Sequence, residues 1–149
     1  MVKDIEKLEE VIQEILSAAP GISRTQLVKL TYLVDREFYK KNNRTMTGVD
    51  YEMYFYGPYS KDFELALYTL KQDDTLLEDH DGISYQIYPN KPLQANLNDD
   101  EVEIINRVVS NANSGGLLRS AAAIKRFVYS LPEVDQAKPF SIINFNEID

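Results

Sequence analysis

The sequence predicts a mainly helical α+β fold in a single compact domain, with about five helices and a small antiparallel sheet or hairpin. Three observations predict it. Apolar residues recur at helical spacing in several segments bounded by capping and stop signals. The stretch Met46 to Tyr56 is dense in β-branched and aromatic residues, which suit a pleated surface. Two alternating runs, Thr75 to Glu78 and Ile83 to Tyr88, flank an Asp81-Gly82 turn.

Taken in order, Asp4 to Ser17 places Ile5, Leu8, Val11, Ile12, Ile15 and Leu16 on one face, opposite Glu6, Lys7, Glu9, Glu10 and Gln13. Pro20-Gly21 closes this helix. Ser23 and Gln26 have capping-box spacing and open the next, Leu27 to about Lys41, with Leu27, Leu30, Val34 and Phe38 inward and a surface pair expected between Glu37 and Lys41. After Asn42-Asn43-Arg44 comes the extended segment, which Gly57-Pro58 is expected to end, because proline brings no N–H to a ladder. Ser60 caps a third helix to Gln72 that buries Phe63, Ala66, Leu67 and Leu70. The predicted hairpin follows and contributes to the same small sheet as the 46–56 segment. Asn98 and Glu101 form a second capping box, opening a helix with Ile105, Val108, Val109 and Ala112 inward, which stops at Ser114-Gly115-Gly116. A fifth helix runs from Leu117 or Arg119 to Leu131, with Ile124, Phe127, Val128 and Leu131 inward, and is halted at Pro132. The apolar tail, about 139–148, is expected to dock as an extended piece.

Composition excludes several functions. The chain has 149 residues, no cysteine and one histidine, so disulfides, thiolate nucleophiles and cysteine-ligated zinc are ruled out. With 24 acidic against 16 basic residues the net charge is −8, a balance that repels phosphate backbones and argues against nucleic acid as a partner. No apolar run is long enough to span a membrane, and a cytoplasmic protein is expected. His80 lies in the predicted hairpin turn beside Asp79 and Asp81, where strand alternation separates neighbouring side chains, so a surface turn is the favoured reading over a metal ligand. The adjacent carboxylates Asp73-Asp74 and Asp99-Asp100 sit at a helix end and a helix start, and no nucleophile and base or metal constellation is visible. No cofactor is expected, and the chain is read as a non-enzyme.

The most specific pattern is Lys29-Leu30-Thr31-Tyr32-Leu33, then Asp35, then Thr47-Gly48 with Tyr51, then Tyr56-Gly57-Pro58. It resembles the SocA-like Panacea antitoxin domain, a family of toxin–antitoxin and phage-associated proteins, over about residues 23–90. The part at 97–131 resembles only a helical tail. Thr31 stands where the family usually has an apolar residue, and Tyr59 where a small β-branched residue is common. The resemblance implies a protein-interaction module that binds and neutralises a protein toxin encoded by a neighbouring gene, by masking it or by delivering it to a protease. It also implies a partner-binding surface built on or supported by Lys29, Tyr32, Asp35, Tyr51, Tyr56, Gly57 and Pro58. Lys29 and Asp35 are six residues apart, on nearly opposite helix faces, and are not expected to pair. Tyr51, Tyr54, Tyr56, Tyr59 and Tyr68 gather near the Gly-Pro corner, as core or as interface. The alternative is a DNA-binding regulator of winged-helix type reading with Ser60 to Gln72; that helix offers only Lys61 and Lys71 against Asp62, Glu64 and Asp73, and the reading rests on Arg24, Lys29, Arg36, Lys40, Lys41 and Arg44 of the second helix.

Overall fold

The computed structural model describes residues 3–55, 57–93 and 96–148. The chain is mainly helical, and its centre is the second helix, whose residues are buried almost all round. Helix α1 (Ile5–Ala18) is capped by Asp4, whose carboxylate accepts from the Lys7 N–H, and buries Leu8, Val11, Ile12, Ile15 and Leu16. Gly21, at φ +85°, turns the chain, and Ser23 and Gln26 form both bonds of the capping box that opens α2 (Arg24–Asn42). A helix hidden on every side must place its polar residues in the core, and α2 buries Lys29, Asp35 and Arg36 beside Leu27, Leu30, Val34 and Phe38. It packs against α1, against α4 (Asp99–Ser114) and against α5 (Ala121–Tyr129).

The strands depart from expectation. Strand β1 (Glu52–Tyr54) pairs with β2 (Gly57–Tyr59), so Gly57-Pro58 starts a partner strand instead of ending the extended segment. Proline is accommodated because Pro58 faces Met53, whose own N–H and C=O point the other way. The tail takes those groups. The Met53 N–H donates to the Ser141 carbonyl at 2.8 Å, the Phe140 N–H donates to the Met53 carbonyl at 2.6 Å, and the Ile143 N–H donates to the Tyr51 carbonyl at 2.8 Å. Helix α3 (Lys61–Gln72) follows, capped by Ser60, and leads to the hairpin of β3 (Leu76–His80) and β4 (Tyr85–Pro89). His80 therefore ends a strand opposite Tyr85 and does not occupy the turn. The two strand pairs form two separate sheets, not one. β4 is instead tied to the turn between α1 and α2 by the Gly21 N–H to the Ile87 carbonyl, at 2.8 Å, and the Ile87 N–H to the Ile22 carbonyl, at 2.9 Å. Glu78 on β3 receives a two-bond fork from Arg24 and a third bond from Lys71, all at 2.8 Å, which pulls its carboxyl down to about 2.

In the C-terminal part α4 has the expected capping box of Asn98 and Glu101. The fifth helix is shorter than expected, with a 3₁₀ turn at Leu117–Arg119 before it and its end at Tyr129. Phe127, expected inward, is 41% exposed. Pro132 does not merely halt this helix: it occupies the first turn of α6 (Pro132–Asp135), where its missing N–H has no intrahelical partner to lose. Lys41 pairs with Asp100 of α4 at 2.8 Å, while Glu37 lies nearer Lys40.

The last turn carries Phe145, whose ring stacks on Tyr32 and on Tyr39, each at 5.5 Å between centroids, and meets Tyr51 edge-on. Replacing Phe145 by alanine should destabilise the fold by about 2 kcal/mol, because a partly buried ring with three aromatic neighbours is lost. Chemical denaturation measures it, and an unchanged midpoint would mean that the tail contributes nothing to the core.

Candidate functional site

The residues of the family-like pattern fall into three linked clusters on α2. The first is built on Asp35, which is 0% exposed. One carboxylate oxygen accepts the Thr47 backbone N–H at 3.0 Å; the other accepts the Thr47 hydroxyl at 2.6 Å and the Tyr51 hydroxyl at 2.7 Å. Burial raises the carboxyl's pKa and the bonds from Thr47 and Tyr51 oppose it. Tyr51 is pushed well up, by burial first and then by the neighbouring carboxylate. Aspartate suits this place because its two oxygens offer about four acceptor sites to donors converging from a loop. The cluster thus ties the middle of α2 to the segment that leads into β1.

The second cluster crosses to α6. Glu133, 1% exposed, accepts the Tyr32 hydroxyl at 2.5 Å and receives Arg36 through Nε at 2.8 Å and Nη2 at 3.3 Å. A buried ion pair with its remaining lone pairs filled is tolerated, whereas one partner alone is strongly unfavourable. Burial, then the bond to Glu133, raises the Tyr32 hydroxyl pKa far above its ordinary range.

The third cluster lies where α2 meets β2. Lys29 is 2% exposed, and its ammonium donates to the Pro58 carbonyl at 3.3 Å. Burial, reinforced by the like charge of Lys125, lowers it to about 8. Gly57 faces it at φ +100°, a conformation that disfavours side chains, and a Cβ there would come within 3.1 Å of the Lys29 Cε. Above the lysine is a cavity of about 250 Å³ walled by Tyr54, Tyr59, Val28 and Glu64.

The structure therefore brings Lys29, Gly57 and Pro58 together, and separately Asp35 and Tyr51, with Tyr32 against the latter ring at 5.1 Å. Lys29 and Asp35 do not meet. Tyr32, Asp35 and Tyr51 lie wholly beneath the surface and present no atom of their own for contact; Tyr56 lies outside the described residues. What is exposed beside them is aromatic. Phe55 (76% exposed) meets Phe140 (56% exposed) edge-on at 5.3 Å, Phe140 meets Tyr54 at 5.7 Å, and Tyr54 stacks on Tyr59 at 4.7 Å. Phe140 is held at φ +64°, a conformation that costs a non-glycine residue about 1 kcal/mol, by its backbone bond to Met53. The hydroxyl of Tyr129 braces the Phe55 carbonyl at 2.7 Å.

The sequence did not mark Glu133 or Phe140, nor Arg36 as the partner of Glu133. Pro132-Glu133 with Asp135 is itself a helix-start pattern and could have marked an acidic first turn, but nothing local shows that its carboxylate reaches α2. α3 presents Lys61, Leu65, Tyr68 and Thr69 to solvent.

Fold and site together define a small, mainly helical domain whose signature residues bind one another, so that a central helix, a loop and a hairpin are held as a unit. Residues 27–116, more than half the chain, match the model of the family described as antitoxin SocA-like, Panacea domain, and the chain belongs to that family. No curated protein and no solved structure matches it. The matched span contains Lys29, Asp35, Thr47, Tyr51, Gly57 and Pro58 and stops short of Glu133. Among the described residues no helix is long and apolar enough to cross a membrane.

Two outcomes follow from these clusters. Asp35→Ala should destabilise by about 3 kcal/mol or more, since three buried donors lose their acceptor, while Tyr51→Phe should cost about 1–2 kcal/mol; equal midpoints for both variants in urea would contradict the arrangement. For Lys29, both folded and unfolded chains carry the proton below pH 8. Between about pH 8 and 10.5 the unfolded chain keeps it and the folded chain releases it, so stability rises with pH across that window. Any advantage of a Lys29→Met variant over wild type should therefore shrink by about 3 kcal/mol from pH 8 to 10.5; parallel stability curves would show an ordinary lysine.

Proposed function

We propose that this chain is an antitoxin-like interaction module that binds and neutralises a protein toxin encoded by a neighbouring gene, acting in the cytoplasm and without catalysis of its own. The observation that carries the reading is the aromatic cluster of Phe55, Tyr54 and Tyr59 on the β1–β2 hairpin, joined by Phe140 from the tail, above the residues of the family-like pattern. Aromatic side chains give large contact area at low entropic cost and dominate protein interfaces when clustered on a rigid base. The base is rigid here because each edge of β1 is bonded, one to β2 and one to the tail. The strained backbone at Phe140, held by the bond to Met53 that docks the tail, presents the ring outward, which supports a role in contact. The DNA-binding reading draws less support, since α3 exposes Leu65 and Tyr68, and Lys71 is bonded to Glu78.

Co-expression of the neighbouring toxin with the wild-type chain should restore growth. The double variant Phe55→Ser, Phe140→Ser should lose at least about 30-fold in affinity, the equivalent of about 2 kcal/mol, with its melting temperature unchanged. Full rescue by the double variant would overturn the assignment of this face. Toxin abundance separates the two mechanisms: it stays constant under masking and falls under delivery to a protease.

A further inference from the structure

Lys29 has an arrangement that folding alone does not require. Its ammonium has three N–H groups, and the bond to the Pro58 carbonyl uses one of them. Among the described residues no carboxylate lies within ion-pairing distance of it. The charge that acts on it, Lys125, has the same sign. Arg24 at the rim of the cavity is already committed to Glu78, and Glu64, the acidic group of the lining, stands too far from the ammonium to pair. The facing backbone carries no side chain, because Gly57 leaves open the space that a Cβ would close. A lysine is thus buried at the floor of an open cavity of about 250 Å³, walled by stacked Tyr54 and Tyr59, with no counterion among the described residues.

We propose that this cavity is the specificity pocket of the partner interface and takes a carboxylate of the bound protein, an acidic side chain or a C-terminus, which pairs with Lys29. The proposal rests on the reading of the chain as a partner-binding module and names the chemistry that module recognises. Folding has already stripped water from the lysine, so an incoming anion meets a pre-desolvated, fixed donor in a medium where opposite charges attract strongly. A single negative charge fits better than a phosphate dianion, because Glu64 stands on the wall. The tyrosines match an apolar stem beside the charge. Arg24, Glu64, Tyr54 and Tyr59 line the same cavity and Lys125 acts on the lysine through its charge, so the contribution of Lys29 itself is isolated by comparison with the Lys29→Met variant. Pairing restores the lysine toward its ordinary basicity, so binding takes up a proton above pH 8, and affinity should fall up to tenfold per pH unit there.

The test uses the full chain with isotope-labelled lysine, followed by NMR at the Lys29 Cε. N-acetylphenylalanine supplies a terminal carboxylate, an acetyl-aspartyl-phenylalaninamide supplies a side-chain carboxylate, and N-acetylphenylalaninamide supplies none. At tens of millimolar, one of the two carboxylates should shift Lys29 and raise its titration midpoint by at least a unit, and the tighter one identifies the source. The neutral amide should be silent. Lys29→Met should keep its fold and lose the carboxylate response and at least tenfold in toxin affinity. An unmoved Lys29 overturns the proposal; so does an equal response to inorganic phosphate or chloride, which would mark an adventitious ion only. A folded Lys29→Met chain that binds toxin at full strength overturns the pocket and leaves the partner reading intact. A wild-type chain that fails to neutralise the toxin overturns that reading, while the lysine titration still decides the pocket.

Discussion

Asp35 sits where no water reaches, and every donor that satisfies it comes from the loop between α2 and β1. Placing a carboxylate in such a site without bonds would cost several kcal/mol, so helix and loop can exist in their present relation only together. The same logic extends along α2. Arg36 is answered by Glu133 from a helix almost a hundred residues later, and Lys29 by the carbonyl of Pro58. A central helix that carried only apolar residues could slide or rotate against its neighbours. One that carries three buried polar groups, each with a partner in a different element, has a single register.

That register determines what the surface presents. Because Asp35 and Tyr51 hold the start of the extended segment, the β1–β2 hairpin projects from a fixed point, and its alternation leaves the Met53 backbone free to bond the tail. The tail closes an edge that would otherwise be open to pairing with other chains. It also delivers Phe140 beside Phe55, so the exposed aromatic cluster depends on residues far apart in the sequence. A surface built this way is stiff, and stiffness lowers the entropy that any contact on it would cost.

The charge distribution agrees with a protein partner. The chain as a whole carries −8, yet Lys29, Lys125 and Arg24 gather on the hairpin side, where Arg24 pairs with Glu78 and Lys29 has no carboxylate partner among the described residues. The averaged field of an acidic molecule does not attract anions from a distance, so a lysine beneath an aromatic-walled cavity acts only at short range.

Local sequence determined the first four helices and their starts. Capping boxes at Ser23 and Asn98, the N-cap at Ser60 and the apolar stripes are properties of a few consecutive residues, and each formed as the spacing predicts. The family pattern marked Lys29, Asp35, Tyr51 and Gly57-Pro58 as special, but not what they touch. Tertiary structure decided that Gly57-Pro58 opens a strand, that Pro132 starts a helix whose Glu133 reaches Arg36, that the strands form two sheets, and that Tyr32, Asp35 and Tyr51 are core while Phe55 and Phe140 are surface. Each of these depends on partners far apart in the chain: strand pairing, the burial of a charge and the exposure of a ring are set by what packs opposite, and a residue's own neighbours in sequence carry no record of that.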